Sequence, residues 1–260
     1  MASGHVDYTG RYFGFEDWRG GGSFSGRLTA GIVLAGALCS QYLVHQGVKT
    51  ACHIQQLGDV RDASFLAADA AADYAFLKGM HLPVLTAGLN QQMEETVLAA
   101  RDKQDSVGGV LECMVTGLPA GLGAPFFDSV ESVLSHLLFA IPAVKGVELV
   151  RVWLHPCGSQ ANDPFRMENG EVTTESNHSG GINGGITNGM PVIFRCAVRL
   201  TSISQKRTVS LRTGENADLE IHGRHDPCIL LRAVPVVEAM AAIGMMELWK
   251  ERAACLDGSK

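Results

Sequence analysis

Two short segments concentrate groups able to bind anions or move protons. The first, Gly20-Gly21-Gly22-Ser23-Phe24-Ser25-Gly26-Arg27, stands just before a long apolar run. Ahead of a helix, such a turn offers unbonded backbone N–H groups and the positive end of the helix dipole, and its glycines let a phosphate or a ring approach closely. Gly21 and Gly26 have Walker-loop spacing, but Arg27-Leu28 replaces the required Lys-Ser/Thr, which excludes that use. An ordinary glycine turn is the alternative. The second segment, Gly223-Arg224-His225-Asp226-Pro227-Cys228, packs a guanidinium, an imidazole and a carboxylate between a strand and a helix. Anion capture and proton transfer both suit that grouping, and a solvated loop is the bland reading. His222 completes a His-x-x-His spacing, but no third ligand with its own signature accompanies it, so no metal is expected. His45, His53, His81, His136 and His155 read as surface or satisfied core residues, and His5, by composition alone, as part of a fraying terminus.

These segments need a scaffold. Ile32, Val33, Leu34, Leu38, Tyr42 and Leu43 recur at helical spacing and predict a helix from Ser25 to Gln46, stopped by Gly47. Strands are expected over 48–57, 109–116, 144–154, 191–199 and 207–211, and a surface helix over 91–103. Asp128 is expected to cap a helix running to about Ala140, and Pro235 to open an amphipathic helix as a first-turn residue. Residues 62–88 are Ala-rich and carry no clear period. Residues 117–125 and 155–189 read as loops, the latter long and rich in Gly and Asn, as loops that carry function often are. No linker divides the chain and there is no clean βαβ rhythm, so residues 1–260 are read as a single layered α/β domain.

Composition narrows the function. With 260 residues, 46% of them hydrophobic and 18% charged, the chain can bury a full core and is not a disordered tail. Its 30 glycines carry no Gly-x-y period, so they serve local turns and not collagen. A net charge of −6 lacks the basic footprint of a nucleic-acid or membrane-surface binder. Seven scattered cysteines without a Cys-x-x-Cys pair read as reduced thiols in a cytoplasmic protein. No apolar stretch is expected to span a membrane, and the first residues show no signal-peptide pattern.

Seven blocks, taken in order, resemble the chorismate synthase family: Gly-His-Val-Asp-Tyr-Thr (4–9), Arg-Gly-Gly-Gly-Ser-Phe-Ser-Gly-Arg-Leu-Thr-Ala (19–30), Val-Thr-Gly-Leu-Pro-Ala-Gly-Leu-Gly (115–123), Ile-Pro-Ala-Val-Lys-Gly-Val-Glu (141–148), Asn-Asp-Pro-Phe (162–165), Asn-His-Ser-Gly-Gly-Ile-Asn-Gly-Gly-Ile-Thr-Asn-Gly-Met-Pro (177–191), and Gly-Arg-His-Asp-Pro-Cys followed by Arg-Ala-Val-Pro-Val-Val-Glu-Ala (223–228, 232–239). The resemblance implies an α/β (α+β) fold, a single-domain β-α-β sandwich that here lacks the family's N-terminal segment. It implies a carbon–oxygen lyase acting on phosphates, with reduced FMN as cofactor and 5-enolpyruvylshikimate 3-phosphate as substrate. The reaction would be a 1,4-anti elimination of phosphate that yields chorismate in the shikimate pathway. NADPH would be the reductant in a bifunctional enzyme, and a flavin reductase or a separate N-terminal chain would be a further partner of a homotetramer.

By the same resemblance, His5 would face the N1/O2 edge of the flavin and Asp226 would assist proton removal through flavin N5. Arg27 and Arg224 would clamp the anionic substrate. Ser23, Phe24, Ser25, Pro142, Ala143, Gly184, Arg199, Thr201, Ser202 and Arg224 would contact FMN. The chain departs from the family at Ser23-Phe24-Ser25, where Arg-Ser-Ser is frequent, and at 199–204, which is shorter and lacks prolines. The family segment carrying a Gly-Glu-Ser-His-Gly motif, with its general-acid histidine and substrate arginines, has no counterpart among these residues. The alternative reading is a catalytically incomplete remnant that binds FMN or self-associates.

Overall fold

The computed structural model describes residues 10, 14, 22–67, 72–149, 157–168, 170–201, 205–210, 212–220 and 226–257. Two 3-10 turns, Gly22–Phe24 and Gly26–Leu28, lead into helix α1 (Thr29–His45). The chain reverses at Gly47 into β1 (Lys49–Leu57), followed by the short β2 (Val60–Arg61). After α2 (Leu89–Asp102) come β3 (Gly109–Thr116), α3 (Val130–Phe139) and β4 (Val144–Glu148). Two small hairpins follow, β5 (Phe165–Glu168) with β6 (Glu171–Thr174), and β7 (Ile182–Asn183) with β8 (Ile186–Thr187). Then come β9 (Val192–Val198), a hairpin of β10 (Gln205–Val209) and β11 (Asn216–Glu220), and the long α4 (Leu230–Asp257). The main sheet has five strands in the order β2-β1-β3-β9-β4, and every pairing in it is antiparallel.

Alternation along the strands gives the sheet two unlike faces. Cys52, Ile54, Leu111, Cys113, Val115, Val192, Phe194, Cys196 and Val198 face the main core, together with buried residues of α3 and α4. The packing of α1 on α4 depends on Gly36, because a Cβ there would lie 2.4 Å from the Ala239 Cβ. Only a glycine lets the two backbones approach this closely.

The opposite face carries Ala51, Met114 and Ile193 in a small cluster with Phe65 and Leu77. Beside it runs a row of alternating charge, set by the register His53↔Glu112↔Arg195↔Glu148. His53 is fully buried, with Nδ1 3.0 Å from Asp62 Oδ2 and Nε2 3.2 Å from Glu112 Oε2. Glu112 also accepts from Phe65 N, Ser64 Oγ and Arg195 Nε, and Asp62 from Ala63 N, Leu85 N and Thr86 N. Burial alone would push the His53 pKa down, but the two carboxylates outweigh it and the imidazole titrates above its usual value. Burial would raise both carboxylates, yet His53 and the surrounding donors hold each below its ordinary range.

The structure corrects several expectations. Ser129, not Asp128, caps α3, with its Oγ accepting from Ser132 N, because it is Ser129 that has the extended backbone a cap requires. Pro235 lies inside α4, which begins at Leu230; the burial of Leu230, Ala233, Val234, Val236 and Val237 outweighs the hydrogen bond the proline cannot make. The strand expected over 144–154 ends at Glu148, and residues 150–156 lie outside the described ones. The strand expected over 207–211 is β10 of a hairpin whose second strand, β11, has no clear alternation. The expectation that no apolar stretch has membrane-span length is also overturned, since Gly26–His45 reaches it with a mean hydropathy of 1.4 and 11% of the stretch buried. That helix is nonetheless a layer of this fold, seated on α4 through Gly36. All seven cysteines are free thiols.

Candidate active site

The loops singled out by sequence are best located by the two ends of the sheet. At one end Leu57 pairs with Gly109 and Gly109 with Val198; at the other Lys49 pairs with Thr116 and Val115 with Val192. Because α1 ends beside the start of β1, its own start, about 25 Å away, lies toward the Gly109 end. The start of α4 lies there too, since a Cβ on Gly109 would come within 2.8 Å of Leu230 Cδ1.

Ser25 is extended and caps the second 3-10 turn, its Oγ accepting from Arg27 N at 3.3 Å. Ser23, Phe24 and Arg27 are exposed around it. This turn therefore presents a hydroxyl, a guanidinium and a helix N-terminus at the Gly109 end. Pro142 and Ala143 form the turn between α3 and β4, where Ala143 adopts φ +74°, a left-handed conformation uncommon for a residue with a Cβ. Arg199, at the exit of β9, donates its N–H to Ala143 O at 2.8 Å. Two residues on, Thr201 Oγ1 donates to Asp226 O at 2.6 Å. Ala143, Arg199, Thr201 and Asp226 are thus one connected group.

Gly184 does not join them. It sits at the tip of the β7–β8 hairpin with φ +60°, and the adjacent Gly185 O accepts from Val130 N at the start of α3. That is the Val115 end of the sheet, roughly 25 Å from Ala143 and Arg199 along the strands. His5, Ser202 and Arg224 lie outside the described residues.

Sequence reasoning passed over Arg232, Ser106 and Asp163. Arg232 Nη1 forms an ion pair with Asp226 Oδ2. Ser106 Oγ donates to Thr201 O at 2.9 Å. Asp163 accepts from His178 N, Ser179 N and Ser176 Oγ, holding the 176–181 loop, and these donors offset burial and keep its carboxyl below the usual range. The only sequence signal for Arg232 and Asp163 was membership in the Arg-Ala-Val-Pro and Asn-Asp-Pro-Phe blocks, and neither block reveals the pairing.

A helix layer packed on an antiparallel sheet defines a layered α/β protein. Comparison with known proteins narrows this. The family model described as chorismate synthase matches residues 1–249. A chorismate synthase of Dehalococcoides mccartyi is 44% identical over 252 residues, covering 94% of this chain and 68% of the relative. One of Methanosarcina acetivorans is 45% identical over 249 residues, covering 92% and 66%. A solved structure described as "Crystal Structure of Chorismate Synthase" superposes with a TM-score of 0.77 at 25% identity, covering 95% of this chain and 70% of that one. The chain belongs to the chorismate synthase family, whose members are lyases. It spans about two thirds of the length of these relatives.

Proposed function

We propose that this chain carries out the family reaction, a 1,4-anti elimination that breaks a C–O bond of 5-enolpyruvylshikimate 3-phosphate, releases phosphate and removes a ring proton to give chorismate. What supports this reading is the gathering of Arg27, Ala143, Arg199, Thr201 and Asp226 at one end of the sheet. The donor set there suits a phosphorylated flavin, since two exposed guanidiniums and a capped turn offer charge-assisted hydrogen bonds. Reduced FMN, once bound, would supply transient electron density to the breaking bond and a proton acceptor at N5, with no net redox change.

The chain's own residues do the rest. Ser23, Phe24, Ser25, Pro142, Ala143, Arg199, Thr201 and Ser202 would hold the flavin, largely through backbone and small side chains. Arg27 and Arg224 hold the anionic substrate, and Arg224 also borders the flavin. His5 would stand beside the bound flavin as a partner for its anionic reduced ring, and the Asp226 carboxylate would assist removal of the substrate's ring proton. The proposal extends to a cytoplasmic homotetramer, with the seven free thiols fitting a reducing compartment and the exposed face of α1 offering an apolar contact surface. NADPH, or a separate flavin reductase, supplies the reducing equivalents.

The test is turnover of the full chain with chemically reduced FMN and substrate, following chorismate absorbance and phosphate release. Asp226→Asn should lower the rate by about 10²- to 10⁴-fold. A second reading is a chain that binds FMN or self-associates without turnover. Tight flavin binding with no phosphate release, with or without a separately supplied N-terminal chain, would establish it.

A further inference from the structure

Asp226 is pinned through its backbone. Its carbonyl O accepts from Thr201 Oγ1 at 2.6 Å, and the next carbonyl, Pro227 O, accepts from Val107 N at 2.8 Å. Thr201 is itself tied to Ser106, whose Oγ donates to Thr201 O at 2.9 Å. Residues 226 and 227 are thereby fixed between the 105–108 turn and the exit of β9, and the freedom left to Asp226 is rotation about χ1 and χ2. The ion pair with Arg232 bears on that freedom. Arg232 rides on the first turn of α4, where Leu230, Ala233 and Val234 are buried, so its guanidinium is carried by an element that cannot drift.

The two side chains are 69% and 37% exposed, and an ion pair in that much water contributes little to stability. Its value is geometric, because the contact of Nη1 with Oδ2 ties one carboxylate oxygen to a side chain anchored on a buried helical turn. We propose that Arg232 is a positioning residue that holds the Asp226 carboxylate in one orientation, aimed at the proton it accepts. The proposal rests on the reading of Asp226 given above. It adds a residue that touches neither flavin nor substrate in that reading.

A double-mutant cycle separates this role from a general contribution to folding. Full-length wild type, Asp226→Asn, Arg232→Met and the double variant are assayed with reduced FMN and substrate. Arg232→Met should lower kcat by about 10- to 100-fold with KM within about twofold, as expected when a reacting group is misplaced. Arg232→Lys should recover only part of the loss, and Arg232→Met should cost nothing further in the Asp226→Asn background. The proposal is overturned if Arg232→Met slows Asp226→Asn as much as it slows wild type, or raises KM at unchanged kcat, which would make Arg232 a substrate ligand.

A second readout needs no turnover. In selectively labelled protein, the Hα–Hβ couplings of Asp226 should report one χ1 rotamer in wild type and averaging in Arg232→Met; unchanged couplings would also overturn the proposal. If Asp226→Asn turns over at the wild-type rate, it is the role of Asp226 as proton acceptor that fails, and the couplings alone decide whether Arg232 orients it.

Discussion

At the scale of single residues, the most constrained group is His53, sealed between Asp62 and Glu112 with Arg195 and Ser64 one step further out. The edge of the Phe65 ring closes the remaining side, 4.7 Å between centroids. Replacing His53 by Gln takes the buried Asp62 carboxylate's cation away and leaves Glu112 with Arg195 alone, and should cost about 3–5 kcal/mol, read from urea unfolding at pH 6. The pH dependence has a definite sign. The His53 pKa is raised on folding, so its contribution is full below the unfolded value near 6.5 and fades as pH rises through the folded value. Asp62 and Glu112 are lowered, so their contribution is present above the ordinary carboxylate range and fades in acid. Wild-type stability should therefore decline as pH rises above about 6.5, and His53→Gln should flatten that limb; an unchanged slope would show that His53 is neutral in the folded protein. The sequence reading of His53 as a satisfied core residue agrees with the structure. Its partners were out of reach, because Asp62 arrives from an irregular stretch and Glu112 from a strand nearly sixty positions away. The left-handed Ala143 was equally hidden, since a backbone angle imposed by tertiary packing leaves no mark on an alanine.

Among the elements, α1, β1, β3, β9 and α4 were legible because each carries a long apolar run with a clear period or length. What failed was local. The start of α4 was displaced by Pro235, whose preference for a first turn lost to the burial of the residues before it. The 3-10 turns and β2 within 60–79 were invisible because they are held by Asp62, Phe65 and Leu77 and not by any periodicity. The tightest approach of one helix to another at a glycine, among the described residues, is the α1–α4 crossing at Gly36. Gly36→Val should destabilise by at least the roughly 1–3 kcal/mol typical of an overpacked core and lower the melting midpoint, whereas Gly31→Ala, with open space around it, should be neutral or slightly stabilising. Calorimetry of the two variants checks both. Equal midpoints would mean that the helices part without cost.

For the molecule as a whole, the charged residues were better behaved than the apolar ones. A net charge of −6 leaves anion binding to local clusters, for which the exposed Arg27 and Arg199 are the candidates in the proposed reading. The apolar surface is less even: Leu34 is 69% exposed and Leu38 64% exposed on the outer side of α1. If that face is the contact in the proposed homotetramer, Leu34→Lys with Leu38→Lys should shift the sedimentation coefficient toward the monomer while leaving secondary structure intact; an unchanged particle mass would place the contact elsewhere. The Gly36–Ala239 crossing has a further bearing on how a ligand comes and goes. It acts as a fulcrum about 10 Å from the first residue of α1 and about 13 Å from that of α4, so the two cannot swing apart like tongs without prising backbone from backbone. Whatever approaches Thr201 and Asp226 from this end of the sheet therefore meets a helical floor that stays still.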